Sequence, residues 1–193
     1  LEAVDGATLA AVGSRSQERA DAFATEFGAA RAYGCYEDLV ADPDVDAIYI
    51  ASPHTGHAEH SLLCIEAGKA VLCEKPFVIN AAQAEEMVSL ASREDLFLME
   101  AMWNRFHPVV VEMGSLLAQG AIGKPRLMVA DFGLGTSFDP KGRLFDIELG
   151  GGALLDLGVY PLALASLVFG PPDRISTHAH LGPTGVDERA GVV

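Results

Sequence analysis

The sequence predicts an α/β protein: an incomplete Rossmann-type doubly wound domain followed by an incomplete α+β open-sheet domain. Three observations carry that expectation. Short runs such as Ala47–Ala51 and Ala70–Cys73 are apolar at every position, as strands covered on both faces are. Each is followed by a helical pattern of about a dozen residues, which implies parallel strands with right-handed crossovers. After residue 101 the pattern changes, and longer alternating segments replace the strand–helix units.

Taken in order, Leu9–Val12 reads as a strand. Ser16 then caps a helix with Ala20, Phe23, Ala24 and Phe27 on one face, closed by Gly28. Ala47–Ala51 is the next strand, and the helix behind it runs to about Ala67 and stops at Gly68. Ala70–Cys73 follows, and Asn80-x-x-Gln83 has the spacing of a capping box that opens a helix through Ala91. Leu96–Met99 completes a dinucleotide-binding domain over residues 1–101. In the second domain, residues 102–193, Pro108 starts a helix that carries Met113, Leu116 and Leu117 and ends at Gly120. Arg126–Leu134 reads as a longer strand with Arg126, Met128, Ala130, Phe132 and Leu134 on one face. A glycine-rich helix starts at Gly152, an alternating strand lies near Arg174–Leu181, and Asp187–Val193 begins another.

The composition narrows the function classes. For 20.3 kDa, folding should reduce the accessible surface from roughly 29,000 Å² to about 9,000 Å², so no disulfide or metal staple is needed. With 50% hydrophobic and 21% charged residues the chain is not a disordered tail. Thirteen Lys and Arg against 27 Asp and Glu leave a net charge of −14 with no basic run, which argues against nucleic acid and anionic membranes as partners. Cys35, Cys64 and Cys73 are odd in number and form no C-x-x-C pair, and no basic-then-apolar leader follows Leu1; reduced thiols and a cytoplasmic location are expected. Ala153–Gly170 is apolar, but Asp156, Gly158 and Pro161 interrupt it, so it reads as a buried helix beside a site.

Two motifs carry chemistry. Cys73-Glu74-Lys75-Pro76 ends a parallel strand, and doubly wound folds bind ligands beyond the carboxyl ends of their strands. That topology delivers Lys75 to the crevice, although an isolated lysine there fits a solvated loop better. Gly150-Gly151-Gly152 opens a helix on which Asp156 and Tyr160, at i and i+4, share a face. Those glycines let a ligand approach the backbone, although alone the segment fits a core helix. After the first strand, Gly13-Ser14-Arg15-Ser16 lacks the acid that grips both ribose hydroxyls of NAD. It offers instead a hydroxyl and a guanidinium for a 2′-phosphate, so NADP is the expected cofactor.

Other polar clusters read as structural. His54, His57 and His60 recur every third residue, which turns the third ring about 120° from the first, and no Cys or carboxylate completes a tetrahedral set; no metal is expected. Cys73 reads as packed, and the acidic run Glu37–Asp46 as a solvated surface.

In sequence order, Ser14-Arg15-Ser16, Ser52-Pro53-His54, Ala67–Pro76, Glu100–Pro108, Ala130–Gly133 and Gly150–Tyr160 together resemble the Gfo/Idh/MocA family of NAD(P)-dependent oxidoreductases. Within it the pattern is most similar to the dihydrodiol dehydrogenase / NADP-dependent D-xylose dehydrogenase branch. The resemblance implies Lys75 as the catalytic lysine, Tyr160 as the proton-transfer residue and Asp156 as their acidic partner. It implies cofactor contacts from Ser14, Arg15, Ser52, Pro53, His54, Glu74, Lys75 and Pro76, with a cis Lys75–Pro76 bond. It also implies a substrate pocket with Trp103, Phe132 and the basic Arg126. A phenol at neutral pH holds its proton, and an ammonium beside it favours the phenolate.

The expected function is hydride transfer between NADP and a small-molecule sugar or cyclic alcohol, such as an aldose or a trans-dihydrodiol. A homo-oligomer, dimer or tetramer, formed through the second domain's sheet is expected as well. The alternatives are an NADP-binding sensor without catalysis, against which Lys75 and Tyr160 both argue, and a non-functional fragment. The family's G-x-G-x-x-G turn and its strand should precede Leu9 and do not, and the last sheet is cut. The sequence therefore reads as part of a longer enzyme, with a gap in its first sheet and weak cofactor binding of its own.

Overall fold

The computed structural model describes residues 4–193. The chain divides into two compact units. The first comprises residues up to 51, 56–73 and 82–99; the second comprises 52–55, 74–81 and 100–193.

In the first unit, β1 (Ala11–Gly13) pairs in parallel with β2 (Arg31–Tyr33), Ala11 opposite Arg31. Between them lies α1 (Gln17–Phe27), whose N-cap Ser16 accepts a hydrogen bond from the Arg19 N–H. Its end is set by Gly28 at φ 71°, a left-handed conformation that glycine adopts without a steric penalty. After the short α2 (Tyr36–Val40) come β3 (Ala47–Ile50) and α3 (His57–Glu66), then β4 (Ala70–Cys73), α4 (Ala81–Arg93) and β5 (Leu98–Glu100). The last three strands form one sheet in the order β3-β4-β5, with β3 and β4 parallel. Among the described residues no pairing joins β1 to β3, so the unit holds two separate sheets. Ile48, Ile50, Val71 and Cys73 on the strands and Ala20, Ile65, Met87 and Ala91 on the helices are all buried.

Two expectations for this unit need correction, and one element went unforeseen. Of the α1 face only Ala20 is buried; Phe23 and Phe27 are exposed and stack on each other with centroids 4.4 Å apart. β2 went unforeseen, because a three-residue strand of Arg, Ala and Tyr shows no apolar run. The acidic run is not all solvated. Asp42 is buried, accepts hydrogen bonds from the Asp44 backbone N–H and the Tyr33 hydroxyl, both at 2.9 Å, and lies 2.7 Å from Arg31 Nε. The Asp44 N–H above all, then Tyr33 and Arg31, outweigh burial and hold its carboxyl below the usual range.

The second unit contains α5 (Pro108–Ala118), which has Pro108 in its first turn, and α6 (Val159–Phe169). A wide π-type turn, Leu154–Gly158, leads directly into α6. An antiparallel hairpin of β6 (Thr177–Leu181) and β7 (Asp187–Val192) ends the chain, with Val186 buried beneath its turn. The strand expected at Arg126–Leu134 is absent: residues 125–139 form no strand, and Leu127 and Val129 are 82% and 84% exposed. Alternating side chains favour a strand only where a neighbouring backbone takes its hydrogen bonds.

The helix expected to be buried is instead half-buried along most of its length and exposed at Leu162, Leu167 and Phe169. From Leu154 to Phe169 only Asp156 is buried. The accessible surface, 12,643 Å², exceeds the area expected from mass accordingly. By length and composition alone, Ile147–Phe169 is apolar enough to cross a membrane. The ionised Asp156 in its middle, bound to two cations, argues against that.

Candidate active site

The chain leaves β4 through Glu74, Lys75 and Pro76, and the Lys75–Pro76 peptide bond is cis. Lys75 Nζ donates to the Asp156 carboxylate at 2.9 Å and to the Asp156 backbone carbonyl at 2.8 Å. Both contacts lie within the second unit, as does everything in this cluster. The ammonium stands 5.3 Å from the centroid of the Tyr160 ring. In the wide turn before α6, Asp156 faces the same cluster as Tyr160, one turn further on. Trp103, from a 3-10 turn over Trp103–Phe106, donates its indole N–H to the Tyr160 hydroxyl at 3.1 Å. Trp103 and Phe132 each meet the Tyr160 ring edge-on, at 5.9 and 5.5 Å between centroids. Five of the residues singled out in the sequence thus meet in one place.

Two further residues build this site without having been foreseen. Arg143 donates to the same Asp156 oxygen as Lys75, at 2.8 Å, so one carboxylate serves two cations. Burial opposes the charge on Asp156, but the hydrogen bonds from Arg143 and Lys75 and their charges prevail and keep its carboxyl below the ordinary range. Asp187, in β7, accepts the Leu154 N–H at 2.7 Å and so ties the hairpin to the start of the wide turn. Neither residue carries a periodic or motif signal that would mark it; both contacts form only in three dimensions.

The glycine run works differently from the expectation. A Cβ on Gly150 would stand 2.8 Å from that of His54, and one on Gly151 would stand 2.8 Å from the Leu144 carbonyl oxygen. On Gly152, at φ 123°, it would strike the Asp187 carboxylate. Protein atoms, rather than ligand space, occupy the room that the three missing side chains leave.

The remaining expected residues are placed as follows. His54 is buried, and its Nδ1 donates to the Gly150 carbonyl at 2.9 Å; the carbonyl only accepts, so the hydrogen sits on Nδ1. Thr55 donates to the Glu148 carbonyl beside it. Ser52 is half-buried and Pro53 exposed, and a Glu74 carboxylate oxygen accepts the Lys75 backbone N–H at 3.0 Å. Arg126 is exposed on the unpaired segment and makes none of the contacts of the Tyr160 cluster. In the first unit, Ser14 and Arg15 follow β1. Arg15 lines an open cleft of about 670 Å³ with Gly34, Tyr36, Glu37, Glu59 and His60. Its guanidinium shares that lining with the carboxylates of Glu37, Glu59 and Glu66.

Comparison with known proteins decides the family. The model of an oxidoreductase family with an NAD-binding Rossmann fold matches residues 1–102, and that of the GFO/IDH/MocA C-terminal domain matches 110–193. The chain belongs to the Gfo/Idh/MocA oxidoreductase family. Among its relatives in this family, the trans-1,2-dihydrobenzene-1,2-diol dehydrogenase of Mus musculus is 44% identical over 187 residues, covering 96% of this chain and 56% of the relative. The Xenopus tropicalis enzyme of the same name is 42% identical, covering 100% of this chain and 58% of its own.

Two crystal structures are similar as well. An aldose-aldose oxidoreductase from Caulobacter crescentus, complexed with glycerol, matches with a TM-score of 0.83 at 30% identity, covering 91% of this chain and 54% of its own. A mutant 3-ketoreductase from Actinomadura kijaniata, in complex with TDP-benzene and NADP, matches with a TM-score of 0.87 at 32% identity, covering 100% and 59%. The chain therefore spans somewhat more than half the length of these Gfo/Idh/MocA relatives.

Proposed function

We propose that the protein to which this chain belongs exchanges hydride between NADP and a sugar or cyclic alcohol, an aldose or a trans-dihydrodiol. The observation that carries the reading is the meeting of the Lys75 ammonium, the Asp156 carboxylate and the Tyr160 phenol. When bound, the cofactor supplies hydride exchange at its nicotinamide ring. The chain's own residues must orient the carbinol and move its proton. Tyr160 passes that proton at Oη, and Lys75 stabilises the negative charge that the phenol oxygen carries in between. Asp156 holds Lys75 through two hydrogen bonds and thereby fixes where its charge sits. Trp103 and Phe132 offer apolar faces against which a sugar ring or a diol stacks.

Ser14 and Arg15 would hold a 2′-phosphate, and the absence of an acid at positions 13–16 favours NADP over NAD. The ketoreductase bound to NADP supports the same choice. Around the nicotinamide, Ser52, Pro53, His54, Glu74 and Pro76 would line the approach to Lys75. The exposed Leu127 and Val129 support a homo-oligomer formed through the second domain, which sedimentation of the complete protein would check. Three free cysteines suit the reducing cytoplasm.

The deciding experiment follows NADPH absorbance in the complete protein with a panel of aldoses and dihydrodiols. Tyr160→Phe keeps the ring and removes one hydroxyl, so turnover should fall by about 10²–10⁴ while cofactor affinity holds. Lys75→Met should fall at least as far, and the double variant should be little worse than either single one. Near-normal turnover in Tyr160→Phe would route the proton elsewhere, with His54 the next residue to change.

A further inference from the structure

Trp103 stands in the site as an aromatic wall, yet its one polar atom points at the reacting group. The indole N–H can donate a hydrogen bond and cannot accept one. At 3.1 Å from Tyr160 Oη, the hydrogen between the two atoms therefore belongs to the indole. The phenol must direct its own hydrogen away from Trp103. The edge-on contacts of Trp103 and Phe132 hold the Tyr160 ring from two sides, and Lys75 approaches it at 5.3 Å. The charged groups of this cluster are Lys75, 5.3 Å from the centroid of the Tyr160 ring, and the Asp156 carboxylate that Lys75 and Arg143 share. Lys75 and Arg143 carry donors only, so neither can draw the hydroxyl hydrogen to itself.

We propose that Trp103 is a positioning residue for proton transfer, whose indole N–H occupies one side of the Tyr160 oxygen and turns the hydroxyl hydrogen toward the substrate. This rests on the oxidoreductase reading above. In the reducing direction the Tyr160 O–H bond breaks, its proton forms the new O–H bond on the substrate oxygen, and the electron pair stays on Oη. The indole hydrogen bond persists to the resulting phenolate, strengthened because its acceptor is now charged. In the oxidising direction the same proton returns along the same line. Trp103 itself gains and loses nothing.

Trp103 is the single tryptophan of residues 1–193; in an isotope-labelled sample of the complete protein its indole N–H signal is assigned by sequential through-bond NMR. In the ligand-free complete protein, Tyr160→Phe should move that signal upfield and speed its exchange with solvent. Trp103→Phe, which keeps a ring for stacking, should lower kcat by about three- to tenfold, the worth of one neutral hydrogen bond, and leave KM within about twofold. An indole signal unmoved by Tyr160→Phe overturns the proposal. So does a Trp103→Phe variant that raises KM at unchanged kcat, since that marks a plain substrate wall. Should Trp103→Phe fail to fold, the Tyr160→Phe spectrum decides alone. Wild-type protein that turns over nothing on the panel sinks the oxidoreductase reading itself, a result separate from either of these.

Discussion

Single side chains set the chemistry, and they differ in how far the sequence announces them. Lys75 lies at a strand end, and Asp156 and Tyr160 four residues apart, but it is the resemblance to the family that joins the three into one site. Arg143 sits in a loop with no period, and Asp187 lies 33 residues beyond the Leu154 N–H it accepts, so no local pattern could reveal either. Trp103 was legible as an aromatic wall but not as a donor, since the direction of an indole N–H depends on the folded backbone. Arg126 was chosen on resemblance and lies outside the Tyr160 cluster. Arg15 offers the sharpest test at this scale. In the complete protein, NADP should bind at least tenfold more tightly than NAD, a difference of about 1.4 kcal/mol, and Arg15→Ala should erase most of it. Titration calorimetry that finds equal affinities in the wild type would remove the NADP assignment.

Among the elements, strands apolar on both faces and well-capped helices were legible, and α1 and β4 lie close to where the sequence puts them. Residues 126–134 had the right alternation yet form no strand, because pairing is a property of two segments and alternation a property of one. The glycine run shows how a motif can be found for one reason and exist for another. At Gly152, positive φ and the adjoining Asp187 carboxylate both exclude a side chain. Gly152→Ala should therefore cost roughly 1–3 kcal/mol of stability from backbone strain alone, and displace the Asp187–Leu154 contact besides. Chemical denaturation of the two proteins would measure it. An alanine variant as stable as the wild type would show that the turn relaxes freely.

For the whole molecule, two buried carboxylates govern behaviour in acid. Asp42 and Asp156 both have folded-state pKa values below the ordinary value of 3.8. A depressed carboxyl stabilises the fold fully above its unfolded value, and that contribution is lost as pH falls through the folded one. Stability should thus decline below about pH 4, and Asp156→Asn should flatten part of that decline. Thermal melts across that range would show it, and an unchanged slope in the variant would count against the ion-pair account. The contacts of the Asp156 cluster also bear on the order in which the chain is made. Lys75 meets Asp156 across 81 residues of sequence, and His54 meets Gly150 across 96. All residues of the first unit precede residue 100, so they are synthesised before Asp156. Lys75 thus emerges 81 residues before the carboxylate that neutralises it, and until Asp156 is made that ammonium has only water for a counterpart in this ion pair.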